Sequence, residues 1–178
     1  MPIEQSMTDM FLAGILHCLP ALCAISMPSS QSYLRGANKD TMEEYVAWGR
    51  ENEFVPLNEV AQGYWGVRSM DYTANLYLVV ASYIGAGMLG IERAETLPSK
   101  DPGLIVERLS TQDRVSLGIT KHLPKSLEEA LRELDGKSTD MQDILGPELV
   151  KLYQEVKHHE TESSKTWGNE KRLYMLHF

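Results

Sequence analysis

The chain has 178 residues, of which 43% are hydrophobic, so it is long and apolar enough to form one domain with its own core. It carries 17 Lys and Arg residues against 25 Asp and Glu residues, which gives a net charge of −8, and it contains no basic run. Because proteins that bind nucleic acid concentrate positive charge against the phosphate backbone, we expect no nucleic-acid partner.

The first predicted element is a helix over residues 8–19, with Thr8 or Asp9 as its N-terminal cap. Cys18 and Cys23 lie in this apolar stretch without the ligand spacing of a zinc site, and we interpret them as buried small residues. His17 precedes Cys18, but adjacent helical residues point about 100° apart and do not face one another. We therefore expect no Cys–His nucleophile here.

Two uncharged runs, residues 10–28 and 73–91, approach the ~20 residues that cross a bilayer. Pro20 interrupts the first run, and acidic rather than basic residues precede it, unlike a signal peptide. The second run contains Asn75, tyrosines and glycines, and it fits a buried core helix equally well. We expect a soluble, cytoplasmic protein without a membrane partner.

The middle of the chain predicts short strands. Residues 45–49 read as one strand, and Pro56 restricts the run that follows to an edge or to the start of a strand. Residues 60–68 predict the next strand, which Gly63 and Gly66 interrupt. A glycine inside a strand often marks a bulge or the close approach of a ligand.

A long apolar helix is predicted from Thr73 or Ala74, and Gly87 and Gly90 would let it pack closely against a neighbour. Residues 94–125 are mixed in composition and punctuated by prolines, and residues 92–102 predict a surface loop.

Two further helices are predicted near the C-terminus. Ser126 and Glu129 form a capping box for the first, which Gly136 ends. Pro147 opens the second, which continues to about residue 163. Its end contains His158 and His159, but these imidazoles do not share a helical face, so we predict no metal site. The fold class is therefore α+β, mostly helical with a small antiparallel sheet.

An ordered series of motifs resembles the C-terminal half of the glutamine synthetase catalytic domain, in particular its divergent fungal branch, in which such a domain follows an amidohydrolase-like one in developmental regulators. The motifs are Q-S-Y-L-R at 31–35, W-G-x-E-N at 48–52, W-x-V-R-S-x-D at 65–71, A-N-x-Y-L at 74–78, G-x-x-G-I-E at 87–92 and S-L-E-E-A-L at 126–131. The resemblance covers residues 7–178. It implies one truncated catalytic domain over residues 1–178, without the family's β-grasp domain.

Several positions depart from the family pattern. The family has a metal-ligating Glu where this chain has Gly66, and two phosphate-facing arginines where it has Glu53 and Asn58. A further family Arg is Tyr64 here. Because phosphoryl transfer depends on metal ions and cationic side chains, the resemblance implies that neither a metal nor a nucleotide is a cofactor of this protein.

Other positions match the family's substrate site. Arg35 and Arg68 correspond to arginines that hold the carboxylates of the substrate, and we predict that Tyr33 and Asn75 complete the substrate-binding set. We predict Arg68, Glu53 and Tyr64 as catalytic residues, with Glu51 as a further acid–base candidate.

Three functions follow from this pattern. The first is a small-molecule carboxylate- or enolate-binding protein that catalyses a cofactor-independent cyclisation or isomerisation in fungal secondary metabolism. The second is a non-catalytic, oligomerising interaction or regulatory module. The third is an active glutamate–ammonia-type ligase with an unusual substrate. In each case we expect a homo-oligomer, a dimer or larger, because an unfilled sheet should leave an apolar patch exposed.

Overall fold

The computed structural model describes residues 6–37, 45–103 and 105–167, and the side chains of all of these except 35–37 and 164–167. A short 3₁₀ helix at Ser30–Ala37 follows the first α-helix, and another, Val106–Arg108, precedes the third. The α-helices are α1 (Met7–Ser26), α2 (Leu76–Glu92), α3 (Thr111–Ser116), α4 (Leu127–Gly136), α5 (Ser138–Leu145) and α6 (Pro147–Trp167). The strands are β1 (Trp48–Arg50), β2 (Leu57–Ala61) and β3 (Tyr64–Val67).

Helix α1 forms the centre of the core and is longer than the sequence predicts. It begins after Ser6, whose hydroxyl accepts a hydrogen bond from Asp9 N at 3.1 Å in a reciprocal capping box. It continues through Pro20 to Ser26 instead of ending near residue 19. Every residue from 18 to 26 is buried, so packing on all sides stabilises the helix where proline removes a backbone donor.

Burial also explains why α1 is apolar all round. By length and composition alone it could cross a membrane, but 67% of its most apolar window is buried inside the fold. This is the pattern of the core helix of a soluble protein, consistent with the predicted solubility.

Helices α1 and α2 cross with their backbones in contact at two glycines. A Cβ atom added at Gly14 would lie 2.7 Å from the Cα of Gly90, and one added at Gly90 would lie 2.6 Å from the Cα of Gly14. Gly87 faces the ring of Phe11 in the same way. The predicted close packing at Gly87 and Gly90 is confirmed, and it aligns the two longest apolar helices of the core.

The sheet has three strands in the order β1-β2-β3 and is mixed. β1 pairs with β2 in parallel, and β2 pairs with β3 in an antiparallel hairpin. The α+β class is confirmed, but one strand pair is parallel where we expected a purely antiparallel sheet. Residues 51–56 connect the end of β1 to the start of β2 at the opposite end of the pair, so both strands run in the same direction.

The single strand predicted over residues 60–68 is wrong. The chain turns at Gly63, whose φ of 77° lies in the left-handed region that glycine adopts without strain. Tyr64 then pairs back onto Ala61, and Val67 lies opposite Leu57. Pro56 directly precedes β2, which confirms its predicted place at the start of a strand.

Candidate functional site

The last turn of α1 anchors the segments that carry the predicted site. The final carbonyls of a helix have no hydrogen-bond donor within the helix, and here donors from other segments bind them. The Tyr33 hydroxyl donates to Cys23 O at 3.1 Å, the Tyr153 hydroxyl donates to Ala24 O at 2.7 Å, and Asp71 N donates to Ser26 O at 2.8 Å. The 3₁₀ helix, α6 and the β3–α2 loop thus meet at one point.

The β3–α2 loop, residues 68–75, is held at both ends and in its centre. Arg68 N donates to Pro56 O at 2.9 Å, which extends the β2–β3 ladder by one residue. Asp71 is buried, and its Oδ1 accepts from Thr73 N at 3.0 Å. Asn75 caps α2, because its Oδ1 accepts from Tyr77 N at 3.0 Å. These local bonds give the loop a defined conformation next to Arg68.

A buried hydroxyl chain adds a further link to α1. Ser69 Oγ lies 3.4 Å from the Tyr83 hydroxyl, which in turn lies 3.4 Å from Ser26 Oγ. Ser69 and Tyr83 are both buried, so these groups tie the loop to α1 and α2 instead of facing a ligand.

The structure brings the segments of three predicted binding residues together. Tyr33 is buried and its hydroxyl is engaged with the α1 backbone, so burial raises the pKa of its phenol. Arg35 follows in the same 3₁₀ helix, but its side chain lies outside the described residues. Arg68 is exposed at the end of β3. Both arginine-bearing segments therefore attach to the last turn of α1.

The β1–β2 turn and the start of β2 contain the two positions, 53 and 58, where the family resemblance implies phosphate-binding arginines. Asn58 is buried, and its Oδ1 accepts from Asn52 N at 3.0 Å. Asn52 Oδ1 in turn accepts from Phe54 N at 3.0 Å. Glu53 is exposed on this turn. Asn58 thus stabilises the backbone of the turn, whereas Glu53 places a carboxylate at the second family arginine position.

The two remaining catalytic candidates, Tyr64 and Glu51, are both exposed. Tyr64 is 75% exposed and begins β3, four residues before Arg68, which corresponds to about 13 Å of extended strand. Glu51 is exposed and has a φ of 49°, which is rare for a residue with a side chain. The register of Leu57 opposite Val67 puts the β1–β2 turn, which carries Glu53, at the Arg68 end of the hairpin.

The absence of a side chain at Gly66 is not required by packing. A Cβ atom there would meet Val60 Cγ2 at 3.5 Å and Asn58 O at 3.8 Å, which are ordinary contacts. The position can therefore accept a side chain, yet the metal-ligating Glu expected from the family is replaced by glycine. This part of the chain does not fit a bound divalent metal at that position.

A polar cluster that sequence reasoning missed lies on the other side of α1. Asp140 accepts from Arg93 Nη1 at 2.8 Å and lies 3.4 Å from His17 Nε2, which also contacts the ammonium group of Lys137. Burial of the Asp140 carboxyl opposes its ionisation, but the hydrogen bond from Arg93 and the nearby cations hold its pKa below the ordinary value. No sequence motif joins these residues, since they come from α1, the end of α2 and the start of α5.

His17 and Lys137 line an open cleft of about 560 Å³ together with Lys121, His122 and Arg132. Glu129 and Glu133 also face this cleft. It is separate from the Arg68 loop, and none of the predicted site residues whose side chains are described lines it.

Comparisons with known proteins agree on one family. A family model described as the glutamine synthetase catalytic domain matches residues 4–174. The protein fluG of Emericella nidulans is 32% identical over 169 residues, which are 94% of this chain and 19% of that protein. Gamma-glutamylpolyamine synthetase GlnA3 of Streptomyces coelicolor is 32% identical over 154 residues, which are 80% of this chain and 32% of that protein.

Solved structures show the same fold. A GmaS/ADP complex superposes with a TM-score of 0.75 at 22% identity, covering 100% of this chain and 42% of that one. A crystal structure of a novel glutamine synthase homologue superposes with a TM-score of 0.63 at 28% identity, covering 89% and 35%. The chain thus spans between about a fifth and two fifths of the length of these relatives.

Proposed function

Because the chain belongs to the glutamine synthetase catalytic-domain family, we propose that it binds a small carboxylate- or enolate-bearing molecule beside Arg68 and has lost the ATP- and metal-dependent ligase chemistry. The observation that carries this proposal is the uneven distribution of substitutions. The positions that the family resemblance assigns to metal and phosphate binding are Gly66, Asn58 and Glu53 in this chain. The positions that it assigns to the substrate carboxylates are still arginines, Arg35 and Arg68.

The geometry of the β1–β2 turn supports the loss of phosphoryl transfer. This reaction is accelerated mainly by cations placed around the transferred group. The Asn58 side chain is neutral, buried and bonded to the backbone at Asn52 N, so it supplies no charge to a phosphate. Glu53 adds a negative charge at the same end of the hairpin, where it would repel a nucleotide.

The geometry of the β3–α2 loop supports carboxylate binding. The backbone of Arg68 is fixed by Pro56 O, and the loop after it is fixed by Asp71 and Asn75. A guanidinium group on a rigid backbone can bind a carboxylate through two parallel hydrogen bonds, which an ammonium group cannot reproduce. The segment of Arg35 attaches to the same turn of α1, and a second guanidinium there would serve a second carboxylate.

We assign the reaction, where one occurs, to cofactor-independent cyclisation or isomerisation. Arg68 would stabilise the negative charge of an enolate-like intermediate, and a carboxylate or phenol would move the proton. Glu53 lies on the turn at the Arg68 end of the hairpin, which favours it over Tyr64 as the proton acceptor. We further propose a role in fungal secondary metabolism, of which the likeness to a protein of Emericella nidulans supports only the fungal relationship.

A second candidate function, a non-catalytic module that associates with itself, is favoured by one observation. Helix α2 exposes an apolar stripe that includes Leu76, Val80 and Ile84. Such a surface fits protein association whether or not the Arg68 site binds a ligand.

Calorimetric titrations test the main proposal. We expect no micromolar binding of ATP·Mg²⁺, and we expect binding of at least one member of a panel of mono- and dicarboxylates that includes glutamate. Arg68→Lys and Arg35→Ala should each weaken the binding of that carboxylate by about 1.5–3 kcal/mol, roughly 10- to 150-fold, the usual contribution of a charged hydrogen bond.

The matched control is Arg108→Lys, since Arg108 is also exposed but lies in the second 3₁₀ helix. It should bind the carboxylate like the wild type, and all variants should keep the wild-type melting temperature. Micromolar nucleotide binding would restore the active ligase as the better hypothesis. Full carboxylate affinity in both Arg68→Lys and Arg35→Ala would exclude this site.

A further inference from the structure

The cleft that His17 and Lys137 line lies between α1, residues 121–124 and α4, and we call it the α1–α4 cleft. Its volume of about 560 Å³ falls within the range of about 300–1,000 Å³ that is typical of small-molecule sites. A side chamber of about 120 Å³ adjoins it, since both are lined by His17 and Lys121, and Thr96 and Thr120 also line this chamber. The two spaces together can hold a small molecule with a charged end and a hydroxylated end.

Two cations of this cleft are not neutralised by neighbouring carboxylates. Among the described residues no carboxylate pairs with Lys121 or Arg132, although the whole chain carries a net charge of −8. Arg132 donates instead to the backbone carbonyl of Glu128 at 3.4 Å. The Glu129 carboxylate also lines the cleft, but it accepts from Lys125 N at 2.8 Å. Unpaired cations in a concave surface attract small anions.

A third cation, Lys137, is held in the wall of the cleft. Its ammonium group contacts His17 Nε2 and lies 3.5 Å from Asp140 Oδ2. Asp140 is bonded in turn to Arg93, so two cations share its charge. An ammonium group has three N–H donors, and these two contacts leave one for a ligand. Because the position of this charge is fixed before a ligand binds, less entropy is lost on binding.

The segment that carries Lys121 is fixed as well. Lys121 O accepts from Val46 N at 2.9 Å, and His122 forms an isolated bridge with Tyr45. The rings of Tyr45 and His122 lie 4.4 Å apart, and the Arg114 guanidinium lies 4.9 Å from the centre of the Tyr45 ring on its other contacts. The three cations of the cleft therefore project from three parts of the fold that hold one another in place.

We propose that the α1–α4 cleft binds a small phosphorylated compound that also carries hydroxyl groups. A phosphate monoester has a charge of about −1.5 to −2 at pH 7 and three acceptor oxygens, which suits Lys121, Arg132 and Lys137 on their separate elements. A carboxylate has one charge and two oxygens in a plane. Glu129 and Glu133 also line the cleft, and their carboxylates accept hydrogen bonds from hydroxyl groups. This inference does not depend on the carboxylate site at the Arg68 loop.

The composition of the cleft favours a small solute over a segment of protein. Lysine and glutamate are depleted where two protein surfaces pack together, because each charge would have to lose its water. The α1–α4 cleft is lined by two lysines, two glutamates and an arginine. A small ligand leaves part of these groups in water, so it binds without that cost.

An NMR titration of the isotope-labelled chain measures this binding and locates it. At pH 7 and about 150 mM chloride, glycerol phosphate should bind with a dissociation constant of about 1–10 mM, because the cleft is open and salt screens its charges. The amide signals of residues 120–123 and 137 should shift, and those of residues 68–75 should not. Glycerol should cause no shift, and succinate should bind at least roughly 5-fold more weakly than glycerol phosphate. The millimolar affinity separates this site from the micromolar nucleotide binding that tests the ligase hypothesis.

Two matched variants test the role of the cations. Lys121→Met should raise the dissociation constant of glycerol phosphate by roughly 5- to 10-fold, because one charged hydrogen bond is lost. Lys125→Met is the control, since Lys125 lies in the neighbouring part of the chain and loses the same charge, but does not line the cleft. Both lysines are exposed, so both variants should fold, and far-UV circular dichroism checks this.

The outcomes separate this site from the carboxylate site. Lys121→Met should keep the wild-type affinity for any carboxylate that binds beside Arg68, so failure of either site is recognised independently of the other. No shift of the cleft signals at about 50 mM glycerol phosphate would overturn the proposal. Equal dissociation constants in Lys121→Met and Lys125→Met would overturn it too, as would succinate binding as tightly as glycerol phosphate.

Discussion

The contact between Gly14 and Gly90 makes a quantitative prediction about stability. In Gly14→Ala, the new Cβ would lie 2.7 Å from the Gly90 Cα and closer still to the carbonyl oxygen of Ala86. Carbon atoms in ordinary contact are separated by about 3.5–4.0 Å, so α1 and α2 would have to move apart by about 1 Å. Both obstacles are backbone atoms, and no side chain can rotate away to relieve them.

The magnitude follows from what this separation does to the core. A gap of about 0.5–1 Å forfeits a quarter to a half of the dispersion energy of each contact that it opens, and α1 against α2 is the central interface of the fold. Overpacking a core commonly costs about 1–3 kcal/mol, and a backbone obstacle places this site at or above the upper end. Alanine recovers about 1 kcal/mol of helix propensity. We expect a net loss of about 2–4 kcal/mol.

Urea unfolding followed by far-UV circular dichroism measures this loss. For a domain of this size, it corresponds to a fall in melting temperature of about 5–15 °C. Gly136→Ala is the control, because a Cβ there meets no atom within 4 Å. That variant should be as stable as the wild type or up to about 1 kcal/mol more stable. A Gly14→Ala variant within about 0.5 kcal/mol of the wild type would refute the proposed backbone contact.

Three further measurements examine other parts of the structure. Asp140→Asn should lower the free energy of unfolding at pH 7 by about 1–2 kcal/mol, because the ion pair with Arg93 is partly exposed. The folded-state pKa of Asp140 lies below its ordinary value of 3.8, so the difference in unfolding free energy between wild type and variant should be present above about pH 4 and shrink at lower pH. A difference in unfolding free energy that does not change between pH 5 and pH 3 would contradict the ion pair. Ser126→Ala should cost about 1 kcal/mol through the lost cap on Glu129 N, measured by the same unfolding assay. Burial raises the pKa of the Cys18 thiol to about 11, so a thiol reagent at pH 8 should react with it only in denaturant, and rapid reaction in buffer would show that α1 is not packed as described.

Features that depend on neighbouring residues could be predicted from the sequence. The Ser126 cap on Glu129 N, the start of α6 at Pro147 and the glycines of α2 all appear where local patterns indicate them. The reciprocal half of the predicted capping box is absent, because the Glu129 carboxylate accepts from Lys125 N at 2.8 Å instead of from Ser126 N. The motif series likewise indicated the family, because ordered short motifs survive at low overall identity.

Features that depend on packing could not be predicted in this way. α1 continues past Pro20 because burial outweighs the lost hydrogen bond, and burial is a property of the assembled core. The cluster at Asp140 joins three elements that are far apart in the chain, so no spacing rule could reveal it.

The same distinction applies to the functional residues. The sequence alone determined which charged side chains stand at the candidate site positions, namely Arg35, Arg68 and Glu53. Only the tertiary structure decided that Tyr33 bonds to the end of α1 and that α2 is apolar on an exposed side. Hydrophobicity indicates that a surface favours burial, but the arrangement of the other helices decides which surface is left uncovered.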